Sequence, residues 1–222
     1  MRSMQTNRTI TDTSGTSLAS KTFSLLMAST AIAAAGAWVG YPLAGHPFIL
    51  IACFIAEIVG LFVLRAVRDN TQMGLLVLAG WMAISGITVG VAVHQYAAIL
   101  GMNTVIGAFL GTTGVMCACG VIATFGNINV APLRSFMFIG LLGLIVTGII
   151  SWFVHFSPMI NMVYSGIGMA LFTLFFLADF ARLARDNDNT WGNAIGVTLS
   201  IYLDFINFFL FLLRFLSARN RN

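Results

Sequence analysis

The sequence predicts an all-α membrane protein, a bundle of seven transmembrane helices. Three observations carry that prediction. Of the 222 residues, 59% are hydrophobic and only 8% charged, with a mean hydropathy of +0.93. A soluble domain carries about 25% charged residues, so this chain cannot cover a water-facing surface and reads as one integral membrane unit. Seven apolar runs follow one another, at 22–41, 47–67, 73–95, 98–124, 134–156, 158–181 and 191–216. Each is about as long as the roughly 20 residues a helix needs to cross the hydrocarbon. None alternates with period two, which argues against a transmembrane barrel, and the short connections imply an antiparallel up-and-down bundle.

Residues 1–20 are polar and rich in Thr and Ser, and read as a tail before a single helical domain spanning 21–222. The first run has a rival reading as a secretory signal, because Lys21 precedes Leu25-Leu26-Met27 and the small residues 31–37. It continues through Trp38-Val39-Gly40 without a polar mature start, and about twenty polar residues precede it, which favours a retained helix. The second run holds Glu57 at mid-span and ends on Arg65 and Arg68. The third carries His94 near its end, and His155 lies at the end of the fifth, where both read as interfacial. In the fourth run Cys117 and Cys119 are two apart and so point in different directions on a helix. With Cys53 they read as core thiols rather than a metal or redox pair. Trp38, Trp152 and Trp191 fall at run ends, as interfacial anchors do. Gly36/Gly40, Gly86/Gly90, Gly107/Gly111 and Gly192/Gly196 have the spacing that lets membrane helices approach closely.

Loop charges predict orientation. Arg2, Arg8 and Lys21 precede the first run, Arg65 and Arg68 end the second, Arg134 opens the fifth, and Arg182 and Arg185 close the sixth. The alternate loops, 42–47, 95–101 and 156–161, hold no Lys or Arg. The positive-inside rule therefore places the N-terminus in the cytoplasm. Seven full crossings put Arg214, Arg219 and Arg221 outside, against that rule. Either six consistent loops outvote them or the last helix is only partly inserted or re-entrant.

Intramembrane charges are the functional candidates, since an acid at mid-bilayer costs about 2.5–3.5 kcal/mol or more. In the seventh run Ser200, Asp204 and Asn207 fall at i, i+4 and i+7 on one face, and Asn193 and Gly196 continue the stripe. Such a helix belongs inside the bundle. Asp179 ends the sixth run three residues before Arg182, the spacing of a weak helical ion pair. Glu57 lies about 16 Å from Arg68 along its helix, too far for direct pairing. If the last helix packs centrally, Asp204 approaches the inner ends of the second and sixth spans. Two carboxylates brought together in low dielectric titrate as a unit. A guanidinium alongside clamps the ionised form, and a hard divalent cation such as calcium competes for the same oxygens.

The run Ile201-Tyr202-Leu203-Asp204-Phe205-Ile206-Asn207-Phe208-Phe209, followed by Leu212-Leu213-Arg214, closely resembles the C-terminal signature of the Bax inhibitor family. Met162-Val163-Tyr164-Ser165 leading to Asp179 is similar to its sixth span, and Ser85-Gly86-Ile87-Thr88 to its third. The resemblance implies a seven-helix fold with the C-terminal helix central among six, and a pH-sensitive calcium leak controlled by two aspartates that match Asp179 and Asp204. It also implies an arginine latch at Arg68 and an acidic position at Glu57. Ala178-Asp179-Phe180 departs from relatives that carry a polar residue soon after the aspartate.

Three functions follow as expectations. The first is a proton-regulated calcium leak, with Asp179, Asp204 and Arg68 as gating residues, Glu57, Ser200 and Asn207 along the ion path, and Ca²⁺ held by the aspartates in passing. The second is a regulatory partner of a membrane-bound protease acting through the tail. The third is a proton-coupled secondary transporter. An enzyme is not expected, because no Gly-rich nucleotide loop, metal-spaced His cluster or nucleophile–His pair is legible. No cofactor beyond the permeant ion is implied, and Arg residues scattered singly at run ends do not suit nucleic acid. The expected location is the inner membrane of a bacterium.

Overall fold

The computed structural model describes residues 17–126, 130–154 and 156–220. Arg2, Arg8, His155 and Arg221 lie outside the described residues, as does the side chain of Trp152. Seven long helices are present: α1 (Leu18–Gly40), α2 (Pro47–Val67), α3 (Thr71–Leu100), α4 (Met102–Phe125), α5 (Arg134–Phe153), α6 (Pro158–Arg185) and α7 (Trp191–Arg219). All seven are long and apolar enough to cross a membrane, and there is no strand among the described residues.

Local sequence sets the starts. Ser17, Asn70, Ser157 and Thr190 each accept a hydrogen bond from the backbone N–H three residues on. These caps satisfy donors that the first turn of a helix leaves open. Pro47 and Pro158 open α2 and α6, where a missing N–H costs nothing. The sequence suggested a loop at 95–101. The structure instead continues α3 to Leu100 and reverses the chain at Gly101 alone, with φ +81°. That left-handed conformation suits glycine, and polar residues such as Gln95 stay helical because a helix need not end where the hydrocarbon does. At about 45 Å, α3 exceeds the roughly 30 Å hydrocarbon thickness.

α7 is the hub. It packs against α1, α3, α4 and α6 and supplies buried side chains to all three core clusters. Val197, Ile201 and Phe208 join Phe172 and Phe176 of α6. Ile195 and Tyr202 join Trp81 and Met82 of α3. Phe209 and Leu213 join Val105 and Ala108 of α4. α2 and α5 stand outside, resting chiefly on α3 and α6 respectively. Central placement of the last helix therefore means direct packing against four neighbours, with two more in an outer layer. α7 runs unbroken for 29 residues, long and apolar enough to cross a membrane. Its first turn lies beside the α6 C-terminus, and Arg214 reaches the opposite end of α6.

Lipid tails are as apolar as leucine, so burial alone does not hold these helices together; close packing does. The tightest contact joins α1 to α3. A Cβ at Gly36 or Gly40 would strike the carbonyls of Ala83 or Ile87, and one at Gly86 or Gly90 those of Ala33 or Ala37. The glycines thus bring the two backbones within reach of Cα–H···O contacts. Gly107 faces open space, so its pair with Gly111 does not serve the same purpose. Between α1 and α4 an apolar groove of about 560 Å³ reaches α7, where Phe205 and Ile206 are partly exposed.

Candidate functional site

α6 and α7 bring Asp179 and Asp204 together. Phe176, Asp179, Phe180 and Leu183 form an i, i+3, i+4, i+7 stripe on α6, and the Phe176 ring lies 6.1 Å from that of Phe208. The two carboxyls interact directly, and Asp179 also interacts with the Ser200 hydroxyl one turn before Asp204. Asp204 is 5% exposed, while Asp179 is half-buried. The Oδ2 atoms of both are buried without a hydrogen-bond donor among the described residues. A buried acceptor left unpaired is costly, so this is an under-satisfied polar site inside an apolar bundle. Two carboxyls in direct contact are accommodated most readily when they share a proton.

The nearby cation is Arg182. Its charge acts on Asp179, but its bonds go to the α6–α7 loop and the first turn of α7. Nη2 donates to Asn193 Oδ1 at 2.9 Å, and Nε lies 3.6 Å from Asp186 Oδ2. Asn193 Nδ2 in turn donates to Asp186 Oδ2 and to the Asp188 carbonyl. The Asp188 backbone N–H first, then Asn193, with Arg182 adding its charge and a bond, hold the Asp186 carboxyl below the usual carboxylate range. A depressed value means that this contribution is complete above the unfolded value of about 3.9 and is lost as pH falls through the folded one. Protection of the amides in residues 186–193, relative to the intrinsic exchange rate at each pH, is therefore expected to stay constant from neutral pH down to about pH 4 and to fall below it. Asp186→Asn should lower that protection severalfold already at neutral pH. Hydrogen exchange read by mass spectrometry checks both.

Lys21, anticipated as a topology charge or as the charge before a secretory signal, is 1% exposed. Its Nζ donates to the Asn189 carbonyl at 3.0 Å and sits 5.0 Å from the Trp191 ring centre. It ties the start of α1 to the same loop.

Arg68 stands apart from the aspartates. It follows α2 directly, and its Nε is 3.8 Å from Asp69 Oδ1 in a well-exposed pair, a kind worth little energetically. Its seat is cleared by three glycines. A Cβ at Gly74 would meet Arg68 Cα at 3.2 Å, one at Gly192 its carbonyl at 3.0 Å, and one at Gly196 its Nη1 at 3.6 Å. Asp204 lies two turns beyond Gly196, about 12 Å along α7.

Glu57 belongs to a second polar cluster, spread over α2, α3 and α7. Its carboxyl interacts with Thr88, and its Oε1 is buried without a donor. The Glu57 backbone carbonyl accepts from Trp81 Nε1 at 2.9 Å. Tyr202 packs edge-on against Trp81 and donates to Ser85 Oγ at 3.2 Å. Asn207 folds back, donating to the Leu203 carbonyl of its own helix at 2.7 Å. So Asp179, Asp204 and Ser200 meet, Arg68 lies further along α7, Glu57 sits in a separate cluster, and Asn207 is not turned toward either. His94 packs edge-on against Tyr41. Cys119 is buried with Sγ toward the Thr173 carbonyl, whereas Cys117 is exposed and so is not the core thiol expected.

Sequence reasoning paired Arg182 with Asp179 by its i, i+3 spacing but did not anticipate its bonds to Asn193 and Asp186, and it missed the Trp81, Ser85, Thr88 stripe. The stripe was detectable: spacings of four and three put one indole and two hydroxyls on a single face of α3.

The family model described as inhibitor of apoptosis-promoting Bax1 matches residues 16–221. This protein belongs to the Bax inhibitor family. Relatives agree with that assignment. An uncharacterized membrane protein of Streptococcus pyogenes serotype M3 is 32% identical over 178 residues, covering 78% of this chain and 76% of its own. An uncharacterized membrane protein of Vibrio cholerae is 27% identical over 222 residues, 100% of this chain and 94% of the relative. The protein named Bax inhibitor 1 in Schizosaccharomyces pombe is 29% identical over 178 residues, 80% of this chain and 64% of the yeast protein. This Bax inhibitor family member is thus a multi-pass membrane protein in contact with the bilayer.

Proposed function

We propose that this protein is a proton-regulated calcium leak whose gate is the Asp179–Asp204 pair. The observation that carries the reading is the direct meeting of two carboxyls from α6 and α7, each with a buried oxygen lacking a donor. A proton shared by the pair joins the helices; its loss leaves like charges that part them, and a divalent cation drawn to the oxygens offsets that repulsion. Calcium prefers six to eight oxygen ligands. Among the described residues no group of three or more His, Cys, Asp or Glu stands close enough to hold a metal. Two carboxyls and a hydroxyl suit an ion in transit rather than one stored. The charge pattern supports a cytoplasmic N-terminus, since Arg65, Arg68, Arg134, Arg182 and Arg185 belong to the end of the bundle where α1 begins. A bacterial inner membrane is the location this reading assumes.

The test is calcium entry into liposomes holding the purified chain, followed by an internal dye as pH is stepped. Flux no greater than that of empty liposomes at every pH would refute a leak, and strict stoichiometric exchange of protons for a substrate would replace it with a transporter. Loss of function on deleting residues 1–16, with no flux in liposomes, would favour the protease-partner reading.

Within this proposal Arg68 is the latch, resting in its glycine-cleared seat. Arg68→Ala is expected to raise flux at neutral pH. Gly196→Leu, which occupies the seat, should raise it equally, within about twofold, and the double variant should add nothing further, as expected of groups acting as one unit. Gly196→Ala, whose Cβ meets Nη1 only at ordinary contact distance, should behave as wild type. Flux measurements on the four variants decide it.

A further inference from the structure

The end of the bundle where α6 starts and α7 finishes holds a second crevice, about 360 Å³, lined by Gln95, Asn161, Arg214 and Ser217 among others. Arg214 is fixed there on two sides. Its Nε and Nη2 both donate to Asn161 Oδ1, at 3.2 and 2.9 Å, and the guanidinium lies 4.7 Å from the Tyr164 ring centre. Its remaining nitrogen, Nη1, bonds no described residue. Nor is there an acidic side chain at this end among the described residues. Of the seven Asp and Glu residues, Asp12 lies outside the described residues. Glu57 and Asp204 lie mid-helix, and Asp69, Asp179, Asp186 and Asp188 belong to the opposite half or its loops.

We infer that this crevice is an oxyanion site, taking a phosphate or carboxylate group against Arg214. An arginine that merely reaches for the interface trails its head into water. This one is half-buried and clamped in place by an amide and an aromatic face, with one edge turned to a walled space. Guanidinium in that state is pre-organised for planar, bidentate recognition of an oxyanion. Ser217, which is 7% exposed, and Gln95 line the same space with neutral donors. The crevice opens at a helix end, so the group arrives either on a lipid headgroup or as a free anion. The inference is independent of the calcium reading, because it uses the other end of α7.

The experiment measures binding to the full chain in detergent with two probes. One is inorganic phosphate, followed by calorimetric titration. The other is phosphatidylglycerol against diacylglycerol of the same chains, followed by native mass spectrometry. Two variants are compared with wild type. Arg214→Gln removes the cation. Asn161→Asp keeps the clamp but supplies an internal carboxylate that competes for the guanidinium, and its melting temperature is expected to match or exceed that of wild type. Both variants should bind the phosphate-bearing probe at least tenfold more weakly. Loss of phosphate binding identifies a free anion, and loss of phosphatidylglycerol retention alone identifies a lipid headgroup. Binding equal to wild type in Asn161→Asp, or no preference for phosphatidylglycerol over diacylglycerol together with no phosphate binding, overturns the site.

Discussion

Replacing both Asp179 and Asp204 with Asn should flatten the pH dependence of calcium flux to within about twofold from about pH 5 to pH 8. Asn has nearly the shape of Asp and can donate as well as accept, so the amide pair bridges α6 and α7 without a titrating proton. In the wild type, a gate coupled to one proton changes its open population by at most about tenfold per pH unit. The variant has no such lever. Asp204→Asn alone should retain part of the response, because Asp179 is still flanked by Ser200 and Arg182. Identical pH profiles for wild type and the double variant would remove the pair from the gate. Thermal melting of both proteins in detergent guards against a merely unfolded variant.

The second large effect is on assembly. Gly90→Leu is expected to lower the melting temperature by about 6–12 °C. That figure combines a cost of about 3 kcal/mol for overpacking a tight site with about 2–4 °C per kcal/mol in a chain of this size. The added Cβ meets the Ala37 carbonyl, a backbone atom that cannot rotate away. Gly86→Leu meets Ala33 in the same way, and the pair together should exceed either alone. Gly107→Leu is the control: nothing stands near its Cβ, so its melting temperature should stay within about 2 °C of wild type. Equal melting of Gly90→Leu and Gly107→Leu would mean that α1 and α3 do not depend on backbone contact.

Much of this architecture was legible beforehand because membrane helices announce themselves by length and hydropathy. The seven spans were bounded to within a few residues, except where α3 runs on to Leu100 and where Arg182–Arg185 extend α6. The Ser200–Asp204 stripe was also legible, since a polar face on an apolar helix has only the interior to turn to. The i, i+3 spacing put Arg182 near Asp179, but the sequence could not show that Arg182 bonds Asn193 and Asp186, nor that Arg68 lies away from the acids. Arg182 and Arg68 both sit at helix ends on the same side, and only the crossing of α6, α7 and the α2–α3 turn separates them. Lys21 was equally opaque: composition gives its charge, not the Asn189 carbonyl that buries it. The four glycine pairs had identical spacing yet three different fates, backbone contact, a seat for Arg68 and an open face, because spacing fixes a stripe but not its neighbour.

The groove between α1 and α4 has a mechanical consequence. Hydrocarbon filling it bears directly on Phe205 and Ile206, on the same helix that carries Asp204. A thicker or stiffer bilayer therefore leans on the helix that joins the acidic pair, and chain length and saturation in the surrounding lipid become a load upon it, felt without any ligand or change of charge.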